Sequence, residues 1–414
     1  MATYKEQNKL NVPHLRFPEF HGEWEKCKVS DLLDFYSTNS LSWDQLEYGT
    51  DNMLNLHYGL IHVGLPTMVD LSKDILPAIK KEKEPKNFEL CKEGDIAFAD
   101  ASEDTNEVAK AIEFYTLEDK AVVCGLHTIH GRDKSNKTVV GYKGYAFSST
   151  AFHHQIRRIA QGTKIYSISA KNFAECYIGI PSKEEQTKIA KLLRLIDERI
   201  ATQSKLIEKL ESLIKGINQR VFLNSGINYK IREICEIKSG YSGSQLLSKK
   251  GLKVSRIETI SGHKVNMERV GYVAPFESSE NYRLRVGDIL FSNINSVEYI
   301  GNTAFIDKDY DLYHGMNLLR LTPNNMVVIP FYLYLLLNTN RMLNRFKTVC
   351  NKAVSQASIN QTELGKTVVQ IPPINTQEQI CELYQALYTK LETESHTKSL
   401  FQNQKQYMLR QMFI

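Results

Sequence analysis

The chain has 414 residues, 42% hydrophobic and 24% charged, with 52 Lys and Arg against 47 Asp and Glu. This length predicts two or three domains, and the balance is that of an ordinary soluble protein. No apolar run approaches the roughly 18 residues of a membrane span, the longest candidate being FYLYLLL at 331–337, and MATYKEQNKL lacks the apolar stretch of a secretory leader.

The first segment, 1–179, carries 25 acidic against 21 basic residues. Within it, HGRDKSNKTVVGYKGYAFSSTAFHHQIRRIAQGTK (130–164) sets seven basic residues against the single Asp133, which predicts a directed basic surface. AIKKEKEPKNFEL (78–90) reads as a solvated loop or helix end, and KAVVCGL (120–126) as a strand. LCKEGDIAFADAS (90–102) reads as a Gly-Asp turn, with Asp95 as its cap, launching a buried strand.

At Ile180 the chain reads IPSKEEQTKI, which opens a helix over 180–223. Ser182 and Glu185 have the spacing of a capping box. Ile189, Leu193, Ile196, Ile200, Gln203, Ile207, Leu210, Ile214, Ile217 and Val221 then follow at steps of four and three, a heptad seam with one polar member. At 1.5 Å per residue such a helix is roughly 60 Å long.

The second globular segment, 224–370, carries 18 basic against 12 acidic residues. It echoes the first. KIREICE (230–236) resembles KVSDLLD (28–34), LRVGDILFSNIN (284–295) resembles LCKEGDIAFADAS, and ASINQTEL (357–364) parallels YSISAKNF (166–173). GYVAPF (271–276) and MVVIP (326–330) read as β-rich runs, and FYLYLLLNTNRMLNRF (331–346) as a helix.

At Ile371, 191 positions after Ile180, the chain reads IPPINTQEQI and opens a second helix over 371–414, with Thr376 and Gln379 as its expected capping pair. Its seam includes Ile380, Tyr384, Leu387, Leu391, Glu394, Lys398, Phe401, Lys405, Met408 and Met412. The expected fold class is therefore α+β, mixed α/β. Two pseudo-repeated globular domains are separated by two long antiparallel helices forming a coiled-coil spacer. Gln203 and Glu394 share a repeat position near the helix midpoints, and form either a register-fixing polar layer or two solvated residues at a slight bend.

Several chemistries are not encoded by motif. There is no phosphate-binding Gly-x-x-x-x-Gly-Lys-Ser/Thr, no Gly-x-Ser-x-Gly elbow, no His-Glu-x-x-His, and no Asn/Asp-Pro-Pro-Tyr/Phe of the amino-methyltransferases. Cys27, Cys91, Cys124, Cys176, Cys235, Cys350 and Cys381 are odd in number, widely spaced and without a Cys-x-x-Cys, the pattern of buried reduced thiols in a cytosolic protein. Neither His127 with His130 nor His153 with His154 has a cysteine at finger spacing, so no metal site is expected.

NVPHLRFPEFHGEWE near the N-terminus, the Gly-Asp-Ile-x-Phe strands and the two Ile-Pro-x(4)-Gln-x(2)-Ile helix starts together resemble the specificity subunit of a type I restriction–modification system, over essentially the whole chain. The resemblance implies two target-recognition domains, each reading half of a split sequence in double-stranded DNA, with the helices as spacer. It implies no catalysis by this chain. It also implies docking of two adenine methyltransferase subunits and of ATP-dependent restriction/translocase subunits, in the bacterial cytoplasm on the nucleoid. S-adenosylmethionine, ATP and Mg²⁺ are then expected on those partners.

Base and phosphate contacts call for Asn, Gln, Ser, Lys and Arg on loops and helix ends. In the first half the candidates are Arg132, Lys134, Lys137, Lys143, His154, Arg157 and Arg158. In the second they are Ser242, Ser244, Gln245, Lys249, Lys250, Asn293, Asn295, Lys352, Gln356, Ser358 and Asn360. On the helices, Ile189, Leu193, Ile196, Ile200, Gln203, Ile207, Leu210, Leu387, Leu391, Glu394, Phe401 and Met408 are expected to pack, with Lys188, Lys191, Arg194 and Arg199 on outer faces. The rival reading is a coiled-coil adaptor with two protein-binding domains, against which the basic patches count.

Overall fold

The structure, a computed structural model, describes residues 11–50, 52–222, 226–352 and 356–414. The stretch read for a leader, MATYKEQNKL, lies outside them. The chain divides into two compact units, Met1–Lys205 with Ser395–Ile414, and Leu206–Glu394. Both long helices form, over Lys183–Val221 and Ile374–Gln411, so each contributes to both units.

The first unit is built on a five-stranded sheet ordered Leu33–Tyr36, Thr128–Asp133, Ile96–Ala99, Ala111–Thr116 and Met68–Asp70, antiparallel except at the last pair. A four-stranded sheet carries Val122–Cys124, Leu54–Leu56, Ala78–Ile79 and Leu46–Glu47. Strand Glu25–Lys28 pairs with Tyr177–Ile180 and delivers the chain to the first long helix. The core joins Phe98, Phe147, Phe152 and Phe173 to Ile189 and Leu193 of that helix and to Leu409, Met412 and Phe413 at the end of the second.

The second unit keeps the same plan with fewer strands. Its four-stranded antiparallel sheet is ordered Cys235–Ser239, Leu318–Pro323, Ile289–Ser292 and Thr303–Phe305. Strand Ile227–Lys230 pairs with Val368–Ile371, leading into the second long helix. Here Ile214 of the first helix shares the core with Ile380 and Tyr384 of the second.

Both Gly-Asp-Ile turns form as the sequence predicts. Gly94 and Gly287 have φ of +83° and +96°, the left-handed region that glycine enters without a steric penalty. Asp95 and Asp288 close the turns by accepting from the Lys92 and Arg285 amides.

The helix pairing is antiparallel within each unit. In the first, Asp197 binds Lys405 at 2.7 Å while Leu193 and Leu409 share the core. In the second, Tyr384 donates to Asn218. None of the seam positions read from the sequence is fully exposed. Lys405, a charged seam member, is answered by Asp197, which also accepts from Tyr145 at 2.9 Å. Glu394 is buried and pairs with Lys390 one turn earlier.

Four local expectations are corrected. Ser182 does cap the Glu185 amide, but the Glu185 carboxylate turns to Arg16, which grips it through two 2.7 Å hydrogen bonds. Thr376 is not a cap, because the helix already starts at Ile374 and the Thr376 amide donates to Pro373. MVVIP is not a strand. Its backbone turns beneath buried Val328, and Pro330, which has no amide to give a ladder, opens a helix. FYLYLLLNTNRMLNRF is two helices, Pro330–Leu337 and Asn340–Val349, because the Thr339 side chain caps the second.

Candidate nucleic-acid interface

Beyond each Gly-Asp-Ile strand the chain forms a short second strand, and these mark the same place in both units. Ala101–Ser102 pairs with Tyr166–Ser167, placing Ala101 opposite Ser167. Ile294–Asn295 pairs with Ala357–Ser358, placing Ile294 opposite Ser358, and Ala357–Ser358 pairs in turn with Asn351–Lys352. Asn295, Lys352 and Ser358, drawn from separate stretches of sequence, thus meet in one three-stranded sheet, with Gln356 exposed next to it.

A basic amphipathic helix adjoins each small sheet. In the first unit, Thr150–Ile159 is capped by Ser149, buries Phe152 and Ile156, and exposes His154, Arg157 and Arg158. In the second, Asn340–Val349 is capped by Thr339, buries Met342 and Phe346, and exposes Arg341, Asn344, Arg345 and Thr348 before running into Asn351–Lys352. Gln155 and Arg345 occupy matching positions. Gln155 donates to the Tyr177 carbonyl and Arg345 to that of Val368, so both tie their helices to the strand that leads into a long helix.

Grooves lie against both small sheets. One of about 390 Å³ is edged by Asp100, His127, Gln161, Ser167 and Asn172. His127 has a φ of 55°, and its Nδ1 lies 3.2 Å from Asp100 Oδ1. The second unit's groove, about 130 Å³, is edged by Glu258, Arg269, Asn295 and Tyr299. Amide, imidazole and carboxylate groups of this kind present the donors and acceptors that base edges match.

The basic run 130–164 is not one patch. Lys143 is 2% exposed and pairs with Glu113 at 3.1 Å, so it cannot reach a phosphate. Burial pushes the Glu113 carboxyl up against the pull of Lys143 and the Gly141 and Gly144 amides. Arg132 is half-buried and held by partners within the unit. It grips Asp95 through two 2.8 Å hydrogen bonds, binds Glu89 at 2.6 Å, and lies over the Tyr36 ring. Burial works to raise the Asp95 pKa, but hydrogen bonds from His130 and Arg132 outweigh it and hold the carboxyl below its usual range.

Lys134 and Lys137 are partly exposed but bind the Ser30 carbonyl and Glu25, beside the strand pair that leads into the first long helix. Of the candidates in this half, His154, Arg157 and Arg158 point outward, with Arg157 reaching Asn106 at 3.2 Å.

In the second unit, Ser242, Ser244, Gln245, Lys249 and Lys250 lie on a separate exposed loop against strand Gly271–Val273, where Gln245 bridges Val273. The Asn360 side chain caps helix Gln361–Lys366, as Ser169 caps Ala170–Ala174. Asn293 Oδ1 is buried without a hydrogen bond, so a base edge does not reach it as it stands.

Sequence reading missed Asn344, Arg345 and Thr348, which the matching helix caps, Ser149 and Thr339, align with His154, Gln155 and Arg158. It also missed His127, Gln161 and Asn172, whose shared groove only the fold creates. A further miss is chemical. Cys91, Cys124 and His130 place their ligand atoms within 4.8 Å of one another, a cluster that linear spacing does not show.

Two copies of one α+β construction, each joined to a long helix and edged by polar and basic side chains, define a doubled recognition fold. The family model described as "Type I restriction modification DNA specificity domain" matches residues 114–212 and 227–400, and the chain belongs to that family. It is 36% identical over 193 residues to a Methanocaldococcus jannaschii protein assigned as the type I restriction enzyme MjaX specificity subunit, covering 45% of each chain. It is 24% identical over 283 residues to the EcoKI specificity subunit of Escherichia coli, covering 61% of this chain and 59% of that one. Both matches span less than two thirds of the relative's own length. The crystal structure of a type I restriction–modification S subunit from M. genitalium superposes with a TM-score of 0.58 at 16% identity, covering 97% of this chain and 99% of the other, which supports the fold.

Proposed function

We propose that this chain directs a type I restriction–modification complex to a bipartite DNA target, each globular half reading one half-site and the long helices setting their separation. The observation that carries this reading is the doubling. Gln186 and Gln377 anchor the two helix starts through matching hydrogen bonds, and the same small sheet and basic helix recur in each unit. One chain thereby offers the same docking surface twice, as two identical methyltransferase subunits require.

In this reading the chain performs no chemistry. Methyl transfer from S-adenosylmethionine and the ATP- and Mg²⁺-dependent steps belong to the methyltransferase and the restriction/translocase partners. The small-sheet edges with the groove side chains take base edges, and the exposed Arg and Lys take phosphates. The complex works in the cytoplasm on chromosomal DNA.

The test is co-expression with the methyltransferase subunit, followed by methylation-sensitive sequencing. A split, asymmetric motif with methyladenine on both strands supports the proposal. A continuous motif contradicts the two-half reading. A stable complex that leaves DNA unmethylated and binds duplex without salt dependence supports the adaptor reading instead.

A further inference from the structure

We propose that Cys91, Cys124 and His130 form a zinc site inside the first unit. Cys91 leads into the Gly-Asp-Ile turn, Cys124 ends strand Val122–Cys124, and His130 lies in strand Thr128–Asp133. The Cys91 amide donates to the Val122 carbonyl, which fixes the first two segments side by side. All three side chains are buried, and the sulfurs stand 3.6 Å apart.

One observation points to a metal and a second is compatible with one. The compatible one is the S···S distance. Two Zn–S bonds of 2.3 Å at a tetrahedral angle subtend about 3.8 Å, whereas a disulfide holds its sulfurs near 2.05 Å. The one that points to a metal is His130. Its Nε2 is 2.8 Å from Asp95 Oδ2, while Nδ1 is buried with no hydrogen bond. A carboxylate on one ring nitrogen, with the other buried and unpaired, is the arrangement that orients a ligating histidine and raises its basicity. A zinc-bound S and N lie about 3.6 Å apart, so the imidazole, within 4.8 Å of both sulfurs, has to close by about 1.2 Å at most.

The fold does not demand these side chains. Leu284, His314 and Arg320 hold the matching positions in the second unit, where Leu284 donates to Leu312 as Cys91 does to Val122. The cluster is therefore a feature of one half only. Binding deprotonates both thiols, the two protons passing to solvent as the metal loads during folding. Two thiolates and Zn²⁺ leave the buried centre neutral. Three protein donors leave the fourth position to a small exogenous ligand.

The test is elemental analysis of the full-length chain expressed in zinc-supplemented medium and desalted. Stoichiometric zinc is expected. It should be lost in Cys91→Ser and Cys124→Ser and retained in Cys176→Ser, which alters another buried thiol. To separate metal loss from misfolding in the first two variants, the wild-type chain is also titrated with an organomercurial, and zinc release should track two thiol equivalents. Zinc retained by the Cys91→Ser/Cys124→Ser double variant, release unlinked to thiols, or a zinc-free chain with a Cys91–Cys124 disulfide by mass spectrometry would each overturn the assignment.

Discussion

Gln186 and Gln377 stand 191 positions apart and make the same three hydrogen bonds. Each side-chain oxygen accepts a backbone amide, from Val139 at 2.9 Å or Ile329 at 2.8 Å. Each side-chain nitrogen donates to a loop carbonyl, of Lys137 or Val327, and to the carbonyl of the proline that precedes its helix. Both glutamines are fully buried, so these bonds have no water to replace them.

Replacing either glutamine with leucine leaves a buried amide and loop carbonyls unpaired. We expect Gln186→Leu and Gln377→Leu each to cost about 1–3 kcal/mol, read by chemical unfolding. Equal stability would mean that these anchors are incidental.

Arg157→Ala with Arg158→Ala should weaken duplex binding by the full complex across all sequences. The slope of log affinity against log salt should become shallower by about 1 for each arginine removed. A slope identical to that of the parent complex would remove this helix from the interface.

Lys143 supports the fold from the interior, paired with Glu113. Lys143→Met strands the Glu113 charge and should destabilise the first unit by about 3–5 kcal/mol. Adding Glu113→Gln should recover a large part of the loss. If Lys143→Met instead folded normally and weakened DNA binding, its placement in the interior would be wrong.

His314 makes stability pH-dependent. Burial pulls its pKa from 6.5 to about 4, while its Nε2 lies 2.9 Å from the Leu318 carbonyl. The unfolded chain therefore binds a proton that the folded one refuses. Stability should be full above pH 6.5 and fall as pH drops toward 4, by about 3 kcal/mol in all. His314→Gln should flatten that part of the profile, and an unchanged profile would assign the acid sensitivity to other groups.

The legible parts of the fold were those in which one local rule decides the outcome. The three-four period of the seam named the inner stripe of both helices, and Gly-Asp-Ile named two turns because only glycine sits easily at their φ. Repetition exposed the doubled plan. What stayed hidden was set by partners far away in sequence. Arg132 and Lys143 read as surface cations until Asp95, Glu89 and Glu113 arrived from other segments to pair them. Glu185 was expected to fold back on its own helix, and Arg16, 169 positions earlier, took it instead. Cys91, Cys124 and His130 follow no motif spacing and meet only because three separate segments of the first unit come together.

The central claim is that each half reads its own half-site. The most direct measurement exchanges residues 25–180, from one strand of the leading pair to the end of the other, for the matching segment of another specificity subunit, and sequences the methylated DNA. The account predicts that one half-site changes while the other half-site and the spacing between them persist. A motif altered in both halves would contradict it.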